Sequence, residues 1–80
     1  MKVKIYTVST CKTCLLTKSY FDKIGIEYED IDCDKNLEET LAVMKMAGSE
    51  ELPIVQYDEN NFILGYNTDN YDKLAKLYKN

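Results

Sequence analysis

The sequence predicts an α/β domain built on a four-stranded mixed sheet with helices on both faces. Its element order is β-α-β-α-β-β-α, with three helices. Three observations predict this. An alternating run, Val3 to Val8, leads through a Cys-x-x-Cys stretch into a helical pattern. A second alternating run at 26–31 is again followed by helical spacing. Two short apolar runs then flank a polar turn cluster, Asp58 to Asn61, ahead of a last helical stretch. Strand, helix, strand implies a right-handed crossover with parallel pairing, and a hairpin adds two antiparallel strands.

Residues 2–8 alternate through Val3, Ile5, Tyr6 and Val8 and read as a central strand. Residues 12–24 read as a helix whose core face holds Cys14, Leu16, Thr17, Tyr20, Phe21 and Ile24. Ser19, Lys18 and Asp22 fall opposite. Cys11 lies on that outer side and Cys14 at the edge of the core face, so Cys11 is the exposed thiol and Cys14 the shielded one. Leu15 also points outward, beside Cys11. Gly25 ends the helix in a left-handed cap. Ile26 to Ile31 reads as the second strand. Asp34 or Asn36 caps a second helix over 37–47, with Leu37, Thr40, Leu41, Met44 and Ala47 as its core stripe. Gly48 and Ser49 stop it.

Pro53 precedes a short strand, Ile54 to Tyr57, and Phe62 to Leu64 forms the other arm of the hairpin. Gly65 breaks that arm. Thr68 or Asp69 caps the last helix, which packs through Tyr71, Leu74, Ala75 and Tyr78, with Lys76 and Lys79 at its C-terminal end.

Eighty residues make one domain, 1–80, with no room for a separate substrate domain, so a large substrate must bind at the surface. The net charge is −4 and all ten cations are lysines, which argues against nucleic acid as a partner. Five acidic residues between Glu27 and Asp34 read as a solvated edge. The sequence enters the first strand pattern directly, so no leader is expected, and no apolar run approaches the ~18 residues of a membrane helix. A soluble, cytoplasmic monomer with no membrane partner is expected. In that setting a close cysteine pair is more often redox-active or metal-binding than structural.

The pair Cys11 and Cys14 sits where a strand hands over to a helix. Unpaired amides and the helix dipole favour a thiolate at such a start, and Lys12 adds a positive charge. Cys11 therefore attacks a substrate disulfide, and Cys14 resolves the mixed disulfide, leaving a redox-active Cys11–Cys14 disulfide. A structural zinc site needs more ligands than a chain without histidine and with one further cysteine, Cys33, readily offers. Inert packing, or a copper- or iron–sulfur-binding module, stands as the rival reading of the thiols. Cys33 lies between Asp32 and Asp34, which should raise its pKa and leave it a bystander. Pro53 reads either as a strand-start proline or as a cis bond that turns the Leu52 backbone toward the cysteines.

Taken together, Val3 to Val8, Cys11-Lys12-Thr13-Cys14, Leu52-Pro53 and Leu64-Gly65-Tyr66-Asn67 resemble the glutaredoxin branch of the thioredoxin superfamily, over essentially the whole chain. The resemblance implies a thioredoxin-like fold, a cis Pro53, dithiol–disulfide exchange with Cys11 as nucleophile, and no bound cofactor. It implies that Leu52 holds an extended substrate backbone. It also places Gly65, Tyr66, Asn67 and Thr68 where glutaredoxins hold the γ-glutamyl end of glutathione, the expected reductant. The sequence departs from that pattern at three points. Lys12-Thr13 replaces Pro-Tyr, Glu51 replaces the threonine of Thr-Val-Pro, and Val8 stands where a lysine often grips a glutathione carboxylate. The small NrdH-redoxins are equally similar. They imply thioredoxin reductase as electron donor and ribonucleotide reductase as one protein-disulfide partner.

Overall fold

A computed structural model of the chain describes residues 3–78. Lys2, the side chain of Tyr78, and Lys79, each given a place by the sequence pattern, lie outside the described residues. The elements are β1 (Val3–Thr7), α1 (Lys12–Ile24), β2 (Tyr28–Asp32), α2 (Leu37–Ala47), β3 (Ile54–Gln56), β4 (Phe62–Leu64) and α3 (Thr68–Tyr78). The strands form one sheet in the order β2-β1-β3-β4. β1 runs parallel to β2, with Ile5 opposite Asp30, and antiparallel to β3, with Ile5 opposite Val55. β3 and β4 form the antiparallel hairpin. This is the thioredoxin-like arrangement that the element order predicts.

Alternation along the strands sends side chains to opposite faces. On one face Val3, Ile5, Val55 and Ile63 pack with Phe21 of α1 and Tyr71, Leu74 and Ala75 of α3. The Phe21 and Tyr71 rings meet edge-on, 4.9 Å between centroids. On the other face Tyr6, Ile31 and Ile54 pack with Val43 of α2 and with Cys33. Helices thus cover both faces, and the central strand β1 has its C-terminal end between the two layers. Gly25 and Gly48 both close their helices with left-handed backbone, at φ 76° and 72°.

Three expectations are corrected. Leu16 is 51% exposed, not core. At ~100° per residue it lies on the rim of a face centred on Thr17 and Phe21. Leu37 and Leu41 are also exposed, at 61% and 53%. α2 is turned so that Thr40 and Val43 meet the sheet, with Met44 beside them. The pattern reading weighted the leucines and overlooked Val43, the residue that fits against Tyr6 and Ile54. Finally, α3 is capped one residue earlier than expected: Asn67 Oδ1 accepts the Asn70 amide at 3.1 Å. At α2, Asn36 holds the N-cap position, and its side chain donates to the Asp32 carbonyl at 3.0 Å.

Candidate active site

Beyond β1 the chain turns at Val8, whose carbonyl accepts the Cys11 amide at 3.2 Å. Cys11 is the N-cap of α1, with extended backbone (φ −90°, ψ 111°), and its sulfur accepts the Cys14 amide at 3.2 Å. A residue in this position aims its side chain at the orphan amides of the first turn. The Thr13 hydroxyl lies 3.2 Å from the same sulfur. Cys11 is half-buried and Cys14, one turn on, is 1% exposed, its side chain turned into the body of the fold.

The two thiols are held at opposite ends of the acidity range. Partial burial opposes ionisation of Cys11, but hydrogen bonds from the Cys14 thiol, the Thr13 hydroxyl and the two amides outweigh it. The net effect is a pKa below the ordinary thiol value. Lys12 is exposed, and these donors, rather than its charge, are the main source of the effect. Cys14 is pushed up to about 12, first by burial and then by donating its proton to Cys11. Cys33 is also raised, chiefly by burial and then by Asp32 and Asp34, and sits in the opposite core layer.

Across from the thiols stands the loop before β3. The Leu52–Pro53 bond is cis. The Leu52 carbonyl lies 4.0 Å from Cys11 Sγ and 3.5 Å from Thr13 Oγ1. Pro53 is buried, and its carbonyl accepts the Gly65 amide at 2.9 Å. Gly65 has φ 70°, a left-handed conformation that glycine adopts without penalty. Its own carbonyl accepts the Tyr71 hydroxyl at 2.7 Å. With its proton so placed, Tyr71 accepts from Thr17 at 3.0 Å. A buried chain of bonds, Thr17 to Tyr71 to Gly65, thus ties α1 one turn below Cys14 to α3 and to the turn beside the cis-proline.

The structure therefore brings Cys11, Cys14, Leu52, Pro53 and Gly65 into one connected site. Tyr66 is 42% exposed, with its ring 6.0 Å from Tyr71. Asn67 spends its side-chain oxygen on the α3 cap, and Thr68 opens that helix. Among the described residues, the Cys11 sulfur's partners are Cys14, Thr13 and Leu52, and not Tyr66, Asn67 or Thr68. Pattern reading missed Thr13, Thr17 and Tyr71. A hydroxyl two residues after an N-cap thiol signals Thr13. A threonine on the apolar face of a helix signals a buried partner, and the tyrosines of the last stripe are candidates for it. Among the described residues, no three His, Cys, Asp or Glu side chains gather as a metal site, and no helix is long and apolar enough to cross a membrane.

Comparison with known proteins agrees with this geometry. The Gene 56 protein of Mycobacterium phage L5 is 33% identical over 76 residues, covering 95% of this chain and 74% of the phage protein. NrdH-redoxin from Escherichia coli, described as a glutaredoxin-like protein with a thioredoxin-like activity profile, superposes with a TM-score of 0.79. It is 27% identical, over 92% of this chain and 95% of its own. Glutaredoxin (grx-1) from Archaeoglobus fulgidus also superposes with a TM-score of 0.79, at 28% identity, over 91% of this chain and 84% of its own. The Glutaredoxin family model matches residues 3–63, a span that takes in both cysteines, the cis-proline and β3, and the chain belongs to the glutaredoxin family.

Proposed function

We propose that this chain is a small dithiol–disulfide oxidoreductase that reduces protein disulfides in the manner of an NrdH-redoxin. The observation that carries the reading is the placement of the pair: Cys11, half-buried at the start of α1, has its sulfur accepting the Cys14 amide at 3.2 Å, while Cys14 one turn on is 1% exposed, an arrangement that lowers the first thiol and raises the second. The Cys11 thiolate attacks one sulfur of a substrate disulfide. That bond breaks, the Cys11–substrate mixed disulfide forms, and the departing thiolate takes a proton from solvent. Once Cys11 carries no charge, Cys14 loses the acceptor that held its proton and gives that proton to solvent. Its thiolate attacks Cys11 Sγ, the substrate leaves as its second thiol, and the Cys11–Cys14 disulfide remains. Two electrons pass to the substrate, and a reductant must restore the dithiol.

Leu52, whose carbonyl lies 4.0 Å from Cys11 Sγ, aligns an extended substrate backbone in this reading, and Gly65 keeps the neighbouring turn close. Leu15, 57% exposed and one turn beyond Cys11, and the exposed Tyr66 suit an apolar protein surface rather than a small peptide alone. Ribonucleotide reductase is one protein disulfide of the right kind. The glutathione-dependent alternative draws support from the family match itself and from the exposure of Tyr66 and Asn67 beside the site. Against it stand Val8, half-buried where a lysine would help, and the acidic Glu51.

Supplying the oxidised protein with glutathione, or with thioredoxin reductase and NADPH, separates the two. Faster reduction by the reductase is expected. The double variant Val8→Lys, Glu51→Thr should gain roughly tenfold with glutathione, since a cation gained at the rim of the site and an exposed acid lost contribute ~0.5–1 kcal/mol each. Wild-type turnover with glutathione that matches an ordinary glutaredoxin, or no gain in the variant, rejects the NrdH-redoxin assignment.

A further inference from the structure

We propose that Glu51 sets substrate choice at this site, selecting protein disulfides with a lysine or arginine beside the reacting cysteine. The inference rests on the dithiol reading above and names the substrate class within it. Glu51 immediately precedes Leu52, whose carbonyl faces both Cys11 Sγ and Thr13 Oγ1. Its amide is fixed by the Ser49 hydroxyl at 3.0 Å. Its carboxylate folds over the Gly65 backbone: a Cβ placed on Gly65 would lie 3.1 Å from Glu51 Oε1 and 3.3 Å from Cδ. The acid therefore lines the groove between the cis-proline loop and the Gly65 turn, where a segment aligned on Leu52 must pass.

Glu51 is exposed, and the ion pairs among the described residues, Lys4 with Glu39 and Lys18 with Asp30, leave it without a cation. Glu50, its neighbour, is exposed as well and adds charge of the same sign. A carboxylate on an incoming partner would meet two acids; an ammonium or guanidinium would complete an ion pair. Each exposed contact is small, about two- to fivefold in affinity. Attraction and repulsion act in opposite directions, however, so basic and acidic partners should differ by roughly tenfold.

The test uses symmetrical peptide disulfides, Ala-X-Cys-X-Ala, with X as Lys, Ser or Glu, and reads kcat/KM for their reduction. The quantity is the Lys-to-Glu ratio, compared between wild type, Glu51→Gln and Glu51→Lys. Intrinsic differences in peptide reactivity cancel in that comparison. The ratio should fall about tenfold in Glu51→Gln, further in Glu51→Lys, and shrink in wild type at 0.5 M salt, where a Debye length of roughly 4 Å screens the contact. A Glu51→Gln ratio within about twofold of wild type overturns the proposal. Reduction of the serine peptide by wild type, and its loss in Cys11→Ser, keeps the dithiol reading standing in that case. If wild type fails to reduce even the serine peptide, the dithiol reading falls and this inference with it.

Discussion

Thr13→Val removes one hydroxyl with almost no change of shape. That hydroxyl lies 3.2 Å from Cys11 Sγ and 3.5 Å from the Leu52 carbonyl, and it has a single proton to give. When Cys11 ionises, the charged sulfur is the stronger acceptor, so the proton turns to it. The site is half open to water, which partly replaces a lost donor. A contribution of ~1 kcal/mol is therefore appropriate, at the lower end for bonds to charged groups. Below the Cys11 pKa, where the thiolate is the minor form, this predicts alkylation of Cys11 slower by roughly fivefold in Thr13→Val. At alkaline pH both proteins are ionised and the rates should converge, since a less stabilised thiolate is slightly more nucleophilic. Lys12→Gln supplies the comparison. Lys12 is exposed, and loss of its charge should cost no more than about twofold. The measurement is iodoacetamide alkylation from pH 5 to 10 on a Cys14→Ser background. Equal rates for Thr13→Val and its parent on the acid limb of the profile, or a larger loss in Lys12→Gln, would refute the claim that hydrogen bonds hold Cys11 acidic.

Tyr71→Phe should leave the Gly65 carbonyl and the Thr17 hydroxyl buried without their partner. The expected cost is ~1–3 kcal/mol, seen as a Tm lower by on the order of 5–15 °C. Stability of the dithiol form relative to the disulfide form should follow a bell-shaped pH curve. Cys11, lowered in the fold, contributes stability that is present above the unfolded thiol pKa and is lost as pH falls through its folded value. Cys14, raised from 9.0 to about 12, contributes stability that is present below 9 and is lost as pH rises toward 12. Urea titrations of both forms across pH 5 to 11 check the shape, and a monotonic difference would contradict these assignments.

Sequence pattern carried the topology well because each element announces itself by period and by stop. Gly25 and Gly48 are both left-handed caps, and the turn between β3 and β4 falls on Asp58 to Asn61. The exposed and shielded thiols were legible because Cys14 falls at the edge of the apolar face of α1, while Cys11 stands ahead of the helix on its outer side. What periodicity does not carry is the choice among apolar residues on a broad face. Leu37 and Leu41 fit the stripe of α2, yet Val43 is what the sheet accepts. Nor does it carry contacts between distant segments. Thr13 with Leu52, Thr17 with Tyr71, and Glu51 over Gly65 join residues from 14 to 54 positions apart, and only the folded sheet brings them together. The charge on Lys12 was visible in the sequence and drew the attention; the hydroxyl beside it is the closer partner of the sulfur.

The most direct test of the central claim is the mixed disulfide itself. Reduced Cys14→Ser and Cys11→Ser proteins are each incubated with a peptide disulfide and analysed intact by mass spectrometry. The thiolate at the helix start should attack in Cys14→Ser, and with no resolving thiol the adduct of one peptide on Cys11 should accumulate. In Cys11→Ser the remaining thiol is buried and resists ionisation, so little adduct should form on Cys14. Accumulation on Cys11 alone is the predicted result; equal adducts in the two variants, or more in Cys11→Ser, would contradict the division of roles on which the account rests.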